Sequence, residues 1–386
     1  MTKYHLGTKT LLTLCALACC SEVSILCGPW PTRSRAQPHM QLLPGHGGGR
    51  LSGCLVGHLR IPVLSFEVRQ YWRIPRACAY FGTGGSRVNG TTIHSLICTR
   101  QLEIQQEAVC LKARAFLFFN LLPRSPPLSH RHTLPASQWD EAMGRGPEWY
   151  QETLGDGRPV IIYLHGNLGT RAIHHRVELV KILSAAGYHV LSLDYRGFGD
   201  STGEPSEAGL TSDALFLFNW VKKHGRGGPV CLWGHSLGTG VATNTAVKIQ
   251  EEGSAVDALI LEAPFTTMGD VVVNYPLTKI YMFLPGFESL LRSIVEMNNI
   301  VFASDENVKT LTGPLLILHS EDDDIVPYHM GQKLHELSLQ AKKEYNTDVQ
   351  VEMISYNANL GFSHNNIYLD PNLSNVVRKF LQNLRQ

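Results

Sequence analysis

Five short, nearly uninterrupted apolar runs, separated by segments of helical spacing, constrain this chain more than any other feature. They are Val160–Leu164, Val190–Leu193, Val230–Trp233, Ala258–Leu261 and Leu315–Leu318. A strand with one wet face alternates apolar and polar residues, whereas a run that is apolar at successive positions is covered on both faces. Between the runs, apolar residues recur at helical spacing over 174–186 (Val177, Val180, Ile182, Leu183), 208–224 (Leu210, Ala214, Leu217, Val221) and 237–250. Strand, helix, strand repeated in this way closes into an α/β fold with a mainly parallel sheet and helices on both faces. Ligand sites in such sheets collect at the carboxyl ends of the strands. An alternating stretch at 346–354 is expected as a later strand and 371–384 as a closing helix.

Composition divides the chain in two. The formal charge of the 386 residues is only +1, which implies no nucleic-acid or polyanion partner. Residues 1–131 nevertheless hold 15 Lys and Arg against 4 acids, leaving 19 against 29 for residues 132–386. Eight of the nine cysteines also lie in the first part, with Cys231 alone in the second. The expected organisation is a basic, Cys-rich leader at 1–131 and one domain at 132–386, long enough for its own core.

Within the leader, Lys3 and Lys9 precede an apolar run at 11–20 that is too short to span a bilayer, which needs about 20 residues. A basic start and short apolar centre fit a secretory signal or weak anchor within 1–27. The Asn89 and Asn372 sequons matter only if the chain enters the secretory pathway. Residues 28–60 read as Pro-, Gly-, Ser- and Arg-rich linker, and the cysteines lack the paired spacing of a zinc site. The apolar stretch 115–123, flanked by Arg114 and Arg124, fits either a membrane interface or a strand or helix turn packed on the core.

The run Val230–Trp233 leads into Gly234-His235-Ser236-Leu237-Gly238 and then directly into a helical segment. This is G-x-S-x-G in the strand-turn-helix setting of a nucleophile elbow, where flanking side chains would clash with strand and helix. A serine hydroxyl needs a base, and the base an orienting acid, here in the chain order Ser, acid, His. Asp323, in the acidic loop after Leu315–Leu318 and four residues before Pro327, is the expected acid; Asp322, Asp324 and Glu262 are its rivals. His364 is the expected base, because it follows the last strand and a glycine turn at Gly361. The oxyanion donors are expected from the backbone N–H groups of Leu237 and of Asn167, in the loop Leu164–Gly169. His46-Gly47-Gly48-Gly49 imitates an esterase oxyanion sequence, but Pro44-Gly45 stands where a strand should end, so it reads as linker. Asp194–Ser201 reads as a structural turn bracing the oxyanion loop. No metal or cofactor is called for.

Roughly forty residues between Pro264 and Leu311 interrupt the alternation and include Val271–Val273, Tyr275–Leu277 and Ile280–Phe287. An apolar, aromatic insertion at this edge reads as a lid, about 267–310, over a greasy substrate tunnel. Its plain alternative is a cap with a small core of its own.

Together, H-G-N, D-Y-R-G-F-G-D-S, G-H-S-L-G-T-G-V-A-T-N, L-E-A-P-F-T, D-E-N-V-K and L-L-I-L-H-S-E-D-D resemble the α/β-hydrolase-domain lysophosphatidylserine lipases and monoacylglycerol lipases, including their B-type branch. The resemblance covers about residues 132–386. It implies an α/β-hydrolase fold and a serine lipase that cleaves lysophospholipid or monoacylglycerol esters, with a lipid ester as partner, membrane association, and a place at the endoplasmic-reticulum membrane or lumen. It carries catalytic roles onto Ser236, Asp323 and His364. Upstream of His132, neither the family's membrane helix nor the antiparallel strands that precede its first parallel strand are legible. Two other functions compete: a non-catalytic hydrolase-like binding protein, and a short-ester hydrolase or peptidase of the same fold.

Overall fold

Val160–Leu164 (β3) is buried at all five positions, as a strand with both faces covered must be. The computed structural model describes residues 115–120 and 128–382. The expected signal or anchor at 1–27, the His46–Gly49 sequence, the Asn89 sequon and all cysteines but Cys231 lie outside the described residues.

Eight strands form one sheet: β1 (Ala115–Asn120), β2 (Leu128–Thr133), β3, β4 (His189–Asp194), β5 (Val230–His235), β6 (Ala258–Glu262), β7 (Leu315–Ser320) and β8 (Val351–Tyr356). Their spatial order is β1-β2-β4-β3-β5-β6-β7-β8. The pairs β1–β2 and β2–β4 are antiparallel, and the rest are parallel. Ten α-helices are described: α1 (Pro147–Thr153), α2 (His174–Ala185), α3 (Glu207–His224), α4 (Leu237–Glu251), α5 (Met268–Asn274), α6 (Pro276–Lys279), α7 (Phe287–Met297), α8 (Ser304–Thr310), α9 (Tyr328–Glu344) and α10 (Leu373–Gln382).

The period of two along each strand sorts side chains onto two layers. Ile161 and Tyr163 of β3, Cys231 and Trp233 of β5, and Leu316 and Leu318 of β7 join Leu179 and Leu183 of α2 and Val377 and Phe380 of α10 in one core. Helices α3 and α4 pack on β3 and β5, α4 also on β6, and α9 on β7 and β8. The chain moves from β3 to β4 on one side and returns to place β5 on the other, so β3 and β5 flank the point where strand order reverses. In open α/β sheets the carboxyl ends at such a reversal are where ligands bind. The Leu164↔Gly234 pairing sets the loop after β3 beside the residues after β5.

The sheet corrects the expected boundary between 131 and 132, which would cut through β2. Six consecutive β2 residues are buried, with polar side chains among them: Ser129, His130, Arg131 and His132. β2 is paired on both edges, and bonds to neighbouring elements add to its ladder. The Ser129 N–H donates to Ser201 Oγ (2.8 Å), and Ser201 Oγ donates to the Asp194 carbonyl (2.6 Å). The His132 and His189 rings share a 3.0 Å contact, and His189 Nε2 lies 3.1 Å from Asp156. The antiparallel strands not legible upstream of His132 are thus present. Their partner cluster, Phe118 with Leu134, Ala142 and Tyr150, also fixes the segment at 115–120 as a packed strand.

The later strand begins at Val351 rather than 346, since α9 and its turn extend to residue 347. The insertion between β6 and β7 also divides differently from the expected lid. Helices α5 and α7 pack together, while α8 packs on α4 and α9 and so belongs to the body of the fold. Leu277, Ile280, Tyr281, Phe283, Leu284 and Leu290 in the insertion are exposed. Among the described residues no helix is long and apolar enough to cross a membrane.

Candidate active site

Ser236 is the hinge between β5 and α4, held at φ 53° and ψ −121° as the N-cap of the helix. For an L-residue this is strained backbone, and the glycines two positions to either side are there because no side chain fits. A Cβ on Gly238 would lie 1.9 Å from the Leu164 carbonyl oxygen, and one on Gly234 would lie 2.3 Å from that of Gly238. The Ser236 N–H donates to the Glu262 carbonyl across to β6 (3.0 Å), which pins the elbow to the next strand.

His364 stands in the loop after β8, and its Nδ1 lies 2.8 Å from Asp323 Oδ2. The other Asp323 oxygen accepts from the N–H groups of Ile325 (3.0 Å) and Val326 (2.8 Å), so the loop's backbone aims the carboxylate. Both side chains are buried. Burial opposes the Asp323 charge, but the charges and hydrogen bonds of His364 and His319 outweigh it and hold the carboxyl well below its usual range. The same balance runs the other way for His364: burial disfavours the imidazolium, yet Asp323 outweighs it and raises the pKa. The rivals are engaged elsewhere. Asp322 accepts from Ser320 Oγ and the Ser363 N–H, Asp324 accepts from Ser363 Oγ (3.0 Å), and Glu262 accepts from Trp233 Nε1 (2.8 Å).

The loop after β3 closes over the elbow. A Cβ on Gly166 would lie 3.2 Å from Ser236 Cβ, so the glycine lets the loop approach the serine. Leu237 opens α4, where an N–H has no acceptor within the helix. Arg176 ties the loop down, donating to the Thr170 (2.8 Å) and Gly166 (3.3 Å) carbonyls. The turn Asp194–Ser201 braces it further, since Asp194 accepts from the Arg171 N–H (2.7 Å) and guanidinium, and Tyr195 Oη donates to the His165 carbonyl (3.0 Å). Burial would raise the Asp194 pKa, but Arg171 and His165 bring it down to about 2.

Two histidines that sequence reasoning passed over belong to this neighbourhood. His235 Nε2 donates to the His364 carbonyl (3.0 Å), and His319 Nε2 lies 3.3 Å from Asp323 Oδ2 while donating to the Val326 carbonyl (3.0 Å). Both sit at carboxyl ends of central strands, which is the signal that could have found them.

Residues 159–296 match the family model for the alpha/beta hydrolase fold. Human Protein ABHD12B is 50% identical over 250 residues, which make up 65% of this chain and 68% of that one. The chain belongs to the α/β-hydrolase family. The Lysophosphatidylserine lipase ABHD12 of Danio rerio is 48% identical over 251 residues, 65% of either chain. The match thus spans about two thirds of the length of these curated relatives. Among solved α/β-hydrolases, a Pyrococcus furiosus esterase superposes with a TM-score of 0.52 at 18% identity, covering 71% of this chain and 91% of that one. An α/β-hydrolase from Vibrio vulnificus gives 0.51 at 18% identity, covering 78% and 98%. At that identity the likeness concerns the fold alone.

Proposed function

We propose that the protein is a serine hydrolase of lipid carboxylic esters, with lysophospholipids such as lysophosphatidylserine, and monoacylglycerols, as substrates. The observation that carries this reading is the His364–Asp323 hydrogen bond, with the His364 backbone bonded to His235 beside a strained elbow serine. Ser236 Oγ attacks the ester carbonyl as His364 Nε2 takes its proton, and Asp323 holds the Nδ1–H tautomer and steadies the imidazolium. The N–H groups of Asn167 and Leu237 receive the oxyanion. His364 then returns the proton to the leaving alcohol, giving an acyl-Ser236, and water activated by the same imidazole releases the fatty acid and regenerates the serine.

The similarity to ABHD12, a lysophosphatidylserine lipase by name, supports the lipid class. So does an insertion rich in apolar residues at the edge that carries the site. Residence at a membrane, that of the endoplasmic reticulum by resemblance, belongs to the same reading, because such esters reside in bilayers. The test is a series of monoacylglycerol and lysophosphatidylserine substrates of increasing acyl length. Transition-state stabilisation should grow by about 0.8 kcal/mol per methylene until the pocket is filled. A flat series with good turnover of short esters would instead favour the short-ester hydrolase or peptidase reading, and a fully folded chain that turns over none of them would favour a binding protein.

A further inference from the structure

The histidine between Gly234 and Ser236 has no part in the proton transfers described above, yet it is 2% exposed and lies where three pieces of the site meet. It is joined covalently to the nucleophile. Its Nε2 lies 3.0 Å from the backbone oxygen of His364, and the two rings are 5.1 Å apart. Toward the oxyanion loop, a Cβ on Gly166 would lie 3.3 Å from its Nδ1, so that loop also rests against the ring. On the side of α2, the His175 ring is 5.6 Å away.

A carbonyl oxygen can only accept, so Nε2 carries the proton, and Nδ1, buried without a hydrogen-bond partner among the described residues, does not. Burial first, then the charges of His364 and Arg176, push the pKa of His235 down to about 3, so the ring stays neutral and keeps this tautomer. A neutral ring also adds no repulsion when His364 becomes an imidazolium.

We infer that His235 is a positioning residue, which anchors the backbone of the general base to the strand end that carries the nucleophile. The inference rests on the Ser236–His364–Asp323 reading. Asp323 fixes the direction of the His364 ring, but the backbone bearing that ring lies in an irregular segment of short 3-10 turns, with Ser363 just before it at φ 47°. The hydrogen bond from His235 attaches this segment at the base itself. Without it, the imidazole loses its register with Ser236 Oγ, and a misplacement of about 1 Å at a reacting group costs on the order of 10²-fold in rate.

The experiment compares the full-length chain with His235→Gln, His235→Leu and Ser236→Ala on p-nitrophenyl butyrate across pH 5–9, with thermal melts to establish folding. The amide nitrogen of Gln reaches the Nε2 position and can still donate to the His364 carbonyl; Leu cannot. Expected is a fall in kcat of about 10- to 100-fold in His235→Leu with KM nearly unchanged, and recovery of most of kcat in His235→Gln. The acid limb of kcat/KM should also move to lower pH in His235→Leu, because a base that drifts from Asp323 loses part of its raised pKa. The other charged or titratable groups around the pair, His175 and Arg176 on α2, Glu262 on β6 and Asp324 after β7, are the same in every variant. If the leucine variant does not fold, His235→Asn, which moves the donor to the Nδ1 side, must show the same loss. Wild-type kcat and pH limb in the folded Leu or Asn variant, or equal impairment of Gln and Leu, overturns the positioning role while an inactive Ser236→Ala leaves the triad reading standing. Full activity in Ser236→Ala overturns the triad and this inference with it.

Discussion

Replacing Asp323 by Asn keeps the volume of the side chain but removes the charge that fixes the His364 tautomer. Asp323→Asn is therefore expected to lower kcat by about 10⁴-fold, with Asp322→Asn and Asp324→Asn within a few-fold of wild type in steady-state ester hydrolysis. Glu262 offers a separate test, on stability. Burial raises its pKa to about 7 against an ordinary 4.5, despite the hydrogen bond from Trp233. A carboxyl whose folded-state pKa is raised binds its proton more tightly in the folded chain, so its contribution to stability is lost as pH rises from about 4.5 to about 7. Glu262→Gln can still accept from Trp233 and has nothing to ionise. In urea unfolding at a series of pH values, its stability relative to wild type should climb through that window and level off above it; a difference independent of pH would contradict the shift. At this scale the serine and its glycines were legible, because steric demand at the elbow admits so few residue types. Asp323 was legible from its distance to Pro327. His235 and His319 were not, since one histidine among 17, even at a legible strand end, forms no pattern until its partners are placed in space.

Five of the six strands legible in the sequence share one cause, apolarity on both faces, and β2 escaped because it breaks that pattern. Its Ser129, His130, Arg131 and His132 look like a solvated stretch, but the fold buries them between β1 and β4. Ser201 tests this junction, because its hydroxyl stands between the Ser129 N–H and the Asp194 carbonyl. Ser201→Ala leaves both backbone groups without that partner, and should cost about 1–3 kcal/mol in urea or thermal unfolding. A neutral result would mean that β2 is held by its ladder bonds alone. The insertion was legible as an interruption but not in its division, since α8 is short and polar and only its packing on α4 and α9 assigns it to the body.

For the whole molecule, alternation of strand and helix was enough to direct the search to the carboxyl ends of the strands, while the reversal of strand order between β3 and β5 emerged only from the sheet. That reversal brings together an elbow at residue 236, a loop at 165–169 and an acid–base pair more than eighty residues downstream. The extent of the sheet was not legible, because its first two strands belong to a stretch whose basic, Cys-rich composition points away from a core. Labelling with a fluorophosphonate probe, followed by mapping of the modified peptide, tests the central claim most directly, because the probe reacts with a serine only where a base and oxyanion donors activate it. One label per chain is expected, on Ser236, lost in Ser236→Ala and strongly reduced in His364→Ala. Equal labelling of the wild type and Ser236→Ala, or a label on another serine, would contradict it.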